Sequence, residues 1–178
     1  MTIPPSLLVP GSIISEEELR SLTESLLSQM ETGQSSEAEI EEAITAIVKT
    51  EKNTREFFIT YLTDERSVAD RPIPAVIRGL VSAPEIVAPV LVKNIVMSTA
   101  MVVHHRRNGD EEMAAKSQRV RSRATLLLQS LQLPISQELA TQMRESLLTG
   151  EGPFQTFLQR WGYDDEQKQA MVEALQSL

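Results

Sequence analysis

The sequence predicts an all-α protein, a single irregular domain of about eight helices over residues 15–178. Apolar residues recur at spacings of three and four along most of the chain, as they do on the buried face of an amphipathic helix. Strand-type alternation bounded by a tight turn occurs nowhere in the 178 residues. A long apolar run predicts a buried central helix at about residues 86–107, around which the other helices pack.

The first two helices have clear starts. Capping boxes, in which a serine is followed three residues later by a glutamate, occur at Ser15–Glu18 and Ser36–Glu39. Gly33 provides an end for the first helix. After the second start the apolar residues keep one helical phase across a polar stretch. Two outcomes therefore stay open: one helix as far as about Leu62, or a break near Asn53.

Prolines divide the middle of the chain. Residues 64–74 are polar with two prolines and predict a surface loop, and residues 75–82 predict a short helix. Pro84 suits the first position of the central helix, whereas Pro89 lies too deep in the helix for that role and predicts a kink or a restart.

The later helices are bounded by residues that commonly begin or end a helix. They run from Asp110 to Pro134, from Ser136 to Gly150, from Pro153 to Gly162, and from Asp164 onward.

The beginning of the chain differs from the rest. Residues 1–14 contain three prolines and a glycine among apolar side chains, which predicts an extended Pro-rich N-terminal arm rather than a helix. Its apolar side chains are expected to dock on the helical body or on a neighbouring chain. The segment lacks the basic and continuous apolar regions of a signal peptide.

Composition excludes several classes of site and partner. Without cysteine the chain has no disulfide, no thiolate zinc site and no cysteine nucleophile. The net charge of −8 argues against general nucleic-acid binding, which uses a basic surface, and favours a soluble cytoplasmic protein. The central apolar run is long enough to raise the question of a membrane span. Lys93 and Asn94 inside that run favour a buried helix over stable membrane insertion.

One stretch departs from this acidic composition. Residues 101–123 contain both histidines and six of the 17 basic residues against three acidic ones, a net charge of +3. Seven side chains flanking the predicted turn at Asn108–Gly109 define what we term the basic corner: His104, His105, Arg106, Arg107, Lys116, Arg119 and Arg123. Positive charge concentrated at one helix–helix corner predicts a binding site for an acidic partner or an anion.

The first part of the basic corner also has an interpretation as a simple helix end. His104 and His105 are adjacent, so on a helix their rings point about 100° apart and cannot bind one metal ion together. Neither a metal site nor a cofactor is predicted. Basic side chains in the last turn of a helix complement its dipole, which accounts for Arg106 and Arg107 without any ligand.

The second part of the basic corner is a stripe along the next helix. Lys116, Arg119 and Arg123 follow Glu112 at spacings of four, three and four, which places all four on one side. In one interpretation the stems lie on apolar surface with their heads in solvent, beside a Glu112–Lys116 ion pair. In the other, Arg119 and Arg123, joined by an arginine from across the turn, bind carboxylate or phosphate through bidentate hydrogen bonds.

Known catalytic motifs are absent: there is no glycine-rich phosphate loop, no Gly-x-Ser-x-Gly and no His-Glu-x-x-His. We therefore expect a non-enzymatic interaction or assembly protein whose basic corner binds an acidic partner, either another protein or a second copy of this chain. Residues 1–50, with nine glutamates and a net charge of −7, are a candidate acidic surface for such a homodimer. The alternative is a regulator that binds a small anionic ligand through the same basic residues.

Three segments carry a resemblance to known proteins. Thr54–Tyr61, Pro89–Val103 and His104–Glu111 together resemble conserved, uncharacterised helical proteins of cyanobacteria and plastids. The resemblance covers the central half of the chain and rests on general texture rather than a diagnostic motif. It implies a cytoplasmic or stromal setting and an accessory role near photosynthetic assemblies. It carries over no activity, cofactor or catalytic residue.

Overall fold

The computed structural model describes residues 14–178, which form nine α-helices and one short 3₁₀-helix and include no strand. The predicted all-α class is confirmed. The predicted extended arm lies outside the described residues except for Ile14, whose side chain is buried. The helices are α1 (Glu16–Thr32), α2 (Glu37–Ile47), α3 (Glu51–Thr63), the 3₁₀-helix (Ser67–Asp70), α4 (Pro74–Val81), α5 (Pro84–Arg107), α6 (Glu111–Leu131), α7 (Pro134–Thr149), α8 (Gln155–Trp161) and α9 (Asp165–Gln176).

The capping residues act as predicted at the first helices. In both capping boxes the serine hydroxyl accepts the N–H of the glutamate, and the glutamate carboxylate accepts the N–H of the serine. Of the two open outcomes for the second helical segment, the structure has the break. Helix α2 ends at Ile47, and Thr50 caps α3 by accepting the N–H of Asn53 at 3.2 Å. This break accounts for nine helices in the described part where about eight were predicted.

Two prolines behave differently from the predictions. A restart at Pro89 is wrong, because α5 is continuous through it. The N–H that proline lacks would have bonded the carbonyl of Glu85, an exposed residue in the first turn of the helix. Pro134 does not merely stop α6: it is the first residue of α7, so that helix begins there rather than at Ser136.

The chain divides into two compact units, with the division between Val90 and Leu91 inside α5. In the first unit α1 packs on α3, and α2 packs on α4. Gly79 of α4 lies against Ile44 of α2, so closely that an added Cβ would stand 2.7 Å from the Cβ of Ile44. The largest fully buried side chains of this unit include Leu26, Leu27, Ile44, Ile47, Phe57, Phe58 and Tyr61.

In the second unit α7 packs on both α8 and α9. Its buried apolar side chains include Leu91, Ile95, Leu127, Leu131, Met143, Leu147, Met171 and Leu175. Among the described residues, α5 is the one helix that is long and apolar enough to cross a membrane. Of its apolar 18-residue segment, 61% is buried inside the protein. That burial is the pattern of the core helix predicted at residues 86–107.

Candidate anion- and partner-binding site

The basic corner lies in the second unit, on both sides of the tight connection between α5 and α6. Gly109 has a φ of 69°, a left-handed conformation that favours glycine. The N–H of Gly109 donates to the carbonyl of Arg106 at 3.0 Å, and the N–H of Asp110 donates to that of His105 at 2.9 Å. These two bonds form a Schellman motif, which satisfies the last carbonyls of α5. Asp110 then caps α6 by accepting the N–H of Met113 at 3.0 Å, as predicted.

The two histidines lie at the helix end. His104 is exposed, and its Nε2 is 3.2 Å from the amide nitrogen of Asn108; because that amide group donates, the ring nitrogen accepts. His105 is half-buried, with its ring 5.4 Å from that of His104 in an edge-to-face arrangement. Within residues 14–178, no group of three or more histidine, aspartate or glutamate side chains is placed to hold a metal ion.

Arg107 is engaged by carboxylates of the second unit. Its guanidinium donates to Asp164, the N-cap of α9, at 3.1 Å and to Glu166 at 2.9 Å. Hydrogen bonding from Arg107, together with a bond from the N–H of Gln167, lowers the pKa of Asp164 to about 2. The hydrogen bonds of Arg107 to Asp164 and Glu166 raise the pKa of Arg107. This arginine therefore ties the end of α5 to the start of α9 and is occupied within the protein.

Lys116 and Arg119 lie on the exposed side of α6. The predicted ion pair is confirmed: Lys116 Nζ is 2.7 Å from Glu112 Oε1, with 50% and 80% of the two side chains exposed. Such an exposed pair contributes little to stability because solvent and salt screen it. Arg119 is exposed and makes no ion pair or side-chain hydrogen bond with any residue that the structure describes.

Arg123 does not belong to an exposed stripe. Only 3% of it is accessible, so the expectation that its head reaches solvent beside Arg119 is wrong. Arg123 makes interactions within the protein, as a buried charged residue requires. Arg123 is buried on α6 together with Ala124, Leu127 and Leu128, whereas Arg119, four residues earlier, is exposed.

Another arginine of α6, Arg121, lies outside the set predicted from the sequence. It is half-buried on α6, and burial lowers its pKa, with a further lowering from the nearby positive charge of Arg106. Neither arginine has an ion pair or side-chain hydrogen bond among residues 14–178. The sequence pointed to the stripe through Arg119 and missed Arg121. One feature of the sequence could have pointed to Arg121: polar residues share its side of the helix, namely Gln118, Ser122, Thr125 and Gln129.

Arg121 lines a groove between α6 and α9 that holds about 520 Å³. The amide of Gln129 donates to the carbonyl of Ser177 at 3.0 Å and joins the two walls at one end. On the α6 wall the amide of Gln118 donates to the hydroxyl of Ser122 at 3.3 Å. On the α9 wall Glu173 accepts a bond from Gln169 at 3.0 Å. The groove thus combines one cationic and one anionic side chain, Arg121 and Glu173, with hydroxyl and amide groups.

A second depression lies in the first unit and is lined by charges of both signs. It holds about 470 Å³ and is formed by the starts of α1 and α3, with Lys52 3.8 Å from Glu16. Glu51, Arg55 and Glu56 complete its lining. Because three carboxylates stand beside two basic groups, its net charge is −1, opposite in sign to the charge of the basic corner.

Comparison with known proteins places the chain by family. Residues 16–178 match the model of a family described as uncharacterised conserved protein UCP020893. No curated protein and no solved structure matches the chain. Because the match runs from the first residue of α1 to the end of the chain, this all-helical protein belongs to the UCP020893 family of uncharacterised conserved proteins.

Proposed function

We propose that the protein is a non-enzymatic interaction or assembly protein that binds an acidic partner through three arginines, Arg106, Arg119 and Arg121. The observation that carries the proposal is that none of the three has an ion pair or side-chain hydrogen bond among the described residues, although Arg106 and Arg119 are exposed and Arg121 lines a groove. A positive charge that the protein does not itself neutralise attracts a negative group. An acidic side chain or terminus of a partner supplies that group.

The remaining cations of the basic corner support this choice of residues. Arg107, Lys116 and Arg123 are each engaged within the protein, so their charges are less accessible to a partner than those of Arg106, Arg119 and Arg121. Arg106 and Arg119 are exposed and Arg121 lines a groove, so a partner can reach them. The net charge of −8 keeps the rest of the chain unattractive to an acidic surface, which limits such a partner to this corner.

The resemblance to cyanobacterial and plastid proteins adds a setting to the proposal. On that basis the protein acts in a cytoplasmic or stromal compartment, in an accessory role near photosynthetic assemblies. The acidic partner is another protein or the glutamate-rich start of a second copy of this chain. Sedimentation analysis of the purified protein separates these two, because the second requires a concentration-dependent homodimer.

The proposal is tested by capture from an extract of the native source. The double variant Arg106→Glu/Arg121→Glu should lose a partner that the wild type retains, since each reversal turns attraction into repulsion. The matched control is Arg20→Glu/Arg160→Glu, two exposed arginines with the same total change of charge. A partner kept by the double variant at the level of the control contradicts the proposal.

A second step identifies the contact itself. Once the retained protein is purified, reversal of its acidic side chains to arginine should restore binding to the double variant and weaken binding to the wild type. Binding by the wild type should also fall as salt is raised, because exposed charges are screened over about 10 Å at 0.1 M salt. If neither the charge reversal nor the added salt alters binding, the contact is apolar and the interface lies elsewhere on the protein.

The groove favours a second candidate function, a regulator that binds a small anionic ligand. Its volume of about 520 Å³ lies within the usual range of small-molecule sites, about 300–1,000 Å³. Melting temperatures measured with a panel of nucleotides, phosphates and carboxylates test it. A ligand at a hundred times its dissociation constant stabilises the folded state by about 2.7 kcal/mol. A panel without any shift would contradict this candidate.

A further inference from the structure

The groove between α6 and α9 holds two opposite charges that the protein does not pair with each other. Arg121 lies on the α6 wall and Glu173 on the α9 wall. Within residues 14–178, Arg121 makes no ion pair or side-chain hydrogen bond, and the side chain of Glu173 only accepts the bond from Gln169 at 3.0 Å. The groove therefore presents one positive and one negative charge, neither of them neutralised in the described part of the chain.

The rest of the lining suits contact with a protein surface. Leu126 is 38% exposed, and the contact of this large apolar side chain with water is unfavourable. Ala170 and Ala174 lie one turn apart on α9, and their small side chains leave room for groups that enter the groove. The remaining lining residues are neutral and form hydrogen bonds: Gln118, Ser122, Thr125, Gln129 and Ser177. Apolar area beside such polar groups is typical of protein–protein interfaces.

The two charges restrict the partner that fits. A surface of one sign is attracted by one wall of the groove and repelled by the other, so a complementary surface must carry both signs. In a two-fold symmetric dimer the same patch of each copy forms the interface, and each contact between two residues occurs twice. A patch with one arginine and one glutamate complements itself in this arrangement, because each arginine meets the glutamate of the other copy.

We propose that the groove between α6 and α9 is the interface of a homodimer in which Arg121 of each copy pairs with Glu173 of the other. This inference rests on the proposed function, because it names the acidic group that Arg121 meets and assigns it to a second copy of this chain. The dimer also covers Leu126 in both copies. Ten residues line the groove, fewer than the roughly 20–30 per side of a standard interface, so we expect a weak dimer whose population depends on concentration.

Sedimentation velocity of the full chain at low salt, over a wide range of concentrations, tests the dimer. We expect the wild type to pass from monomer to dimer as the concentration rises. Arg121→Glu and Glu173→Arg each bring like charges together twice across the interface, so each should raise the dissociation constant of the dimer at least about tenfold. A wild type that stays monomeric up to about 1 mM, the weak end of measured affinities, overturns the proposal.

Mixing the two single variants tests the pairing itself. In a dimer of Arg121→Glu with Glu173→Arg, both contacts again join opposite charges, so the mixture should dimerise although neither variant does so alone. The combined variant Arg121→Glu/Glu173→Arg should also dimerise, because exchanging the two charges restores both pairs. Variants that had merely lost their fold would not recover on mixing. A mixture that stays monomeric overturns the pairing.

Matched controls separate these contacts from a general effect of charge. Glu138 on α7 is likewise an exposed glutamate that accepts an amide bond from a glutamine four residues away, Gln142, at 3.0 Å. Glu138→Arg and Arg160→Glu change the charge by the same amounts outside the groove and should dimerise as the wild type does. Controls that weaken the dimer as much as the groove variants contradict the assignment. Circular dichroism checks that each variant is folded.

The outcomes separate this inference from the function on which it rests. If Arg121→Glu abolishes the dimer and Glu173→Arg retains it, another acidic group of the second copy meets Arg121, so the groove pairing falls and the proposed function stands. If the wild type is monomeric while Arg106→Glu/Arg121→Glu abolishes capture of another protein, only the homodimer falls. If the wild type is monomeric and that double variant also retains the partner, both fall.

Discussion

At the scale of single residues, neighbouring arginines of one short stretch have different roles. Arg107 is held by two carboxylates, Arg123 is buried, and Arg106 and Arg121 have no ion pair or side-chain hydrogen bond among the described residues. Sequence spacing did not distinguish them, because each arginine has the same side chain and only its surroundings differ.

The contact between Arg107 and Asp164 makes stability depend on pH. The pKa of Asp164 falls from an ordinary 3.8 to about 2 in the folded protein. A lowered folded-state pKa stabilises the protein above the ordinary value, and this contribution is lost as the pH falls through the folded-state value. Urea unfolding measured between pH 5 and pH 2 should therefore show a loss of stability that is smaller in Asp164→Asn. Asparagine preserves the helix cap, so the variant removes the charge alone.

A matched variant gives this prediction its control. Asp165 is the next residue along and makes no bond with Arg107, so Asp165→Asn should lose stability over this pH range as the wild type does. An identical slope in Asp164→Asn and the wild type would mean that the Arg107 contact is too weakly held in solution to matter.

Replacing Arg119 and replacing Arg123, both on α6, should have very different effects on the free energy of unfolding. Arg123→Ala should lower the free energy of unfolding by about 3–5 kcal/mol, because it leaves the groups that surround a buried guanidinium without their counterpart. Arg119→Ala, at an exposed position of the same helix, should change it by less than about 0.5 kcal/mol. Urea unfolding followed by circular dichroism measures both. Similar values for the two variants would restore the exposed stripe that the sequence predicted.

At the scale of elements, the helix ends are decided locally and the helix contacts are not. The capping boxes at Ser15 and Ser36 and the glycine ends at Gly33 and Gly109 involve groups a few residues apart, so they were legible in the sequence. The contact of α2 with α4 could not be predicted from the sequence, although it depends on one small residue, Gly79.

Gly79→Ala tests that contact. Alanine favours a helix by about 1 kcal/mol over glycine, but its Cβ would stand 2.7 Å from the Cβ of Ile44 and 3.1 Å from the carbonyl oxygen of Glu41. Both atoms lie on or next to the backbone of α2, so the two helices must move apart. We expect a net loss of about 1–3 kcal/mol in the free energy of unfolding. A gain in stability would mean that α2 and α4 separate without cost.

At the scale of the whole molecule, charge is distributed unevenly. The chain carries −8 overall, while residues 101–123 carry +3. Internal pairs consume part of that positive charge, since Arg107 and Lys116 each face glutamate or aspartate. What is left for a partner is smaller than the sequence indicates and is concentrated at Arg106, Arg119 and Arg121.

The sequence by itself determined the all-α class, the start of α6 at Asp110 and the Glu112–Lys116 pair. These depend on residues within one or two helical turns of each other, which are always neighbours in a helix. Only the tertiary structure decided that Arg107 meets Asp164, 57 residues away, and that Arg123 is buried. Those outcomes depend on which helix lies beside which face, and such long-range packing is not encoded in the spacing of the residues themselves.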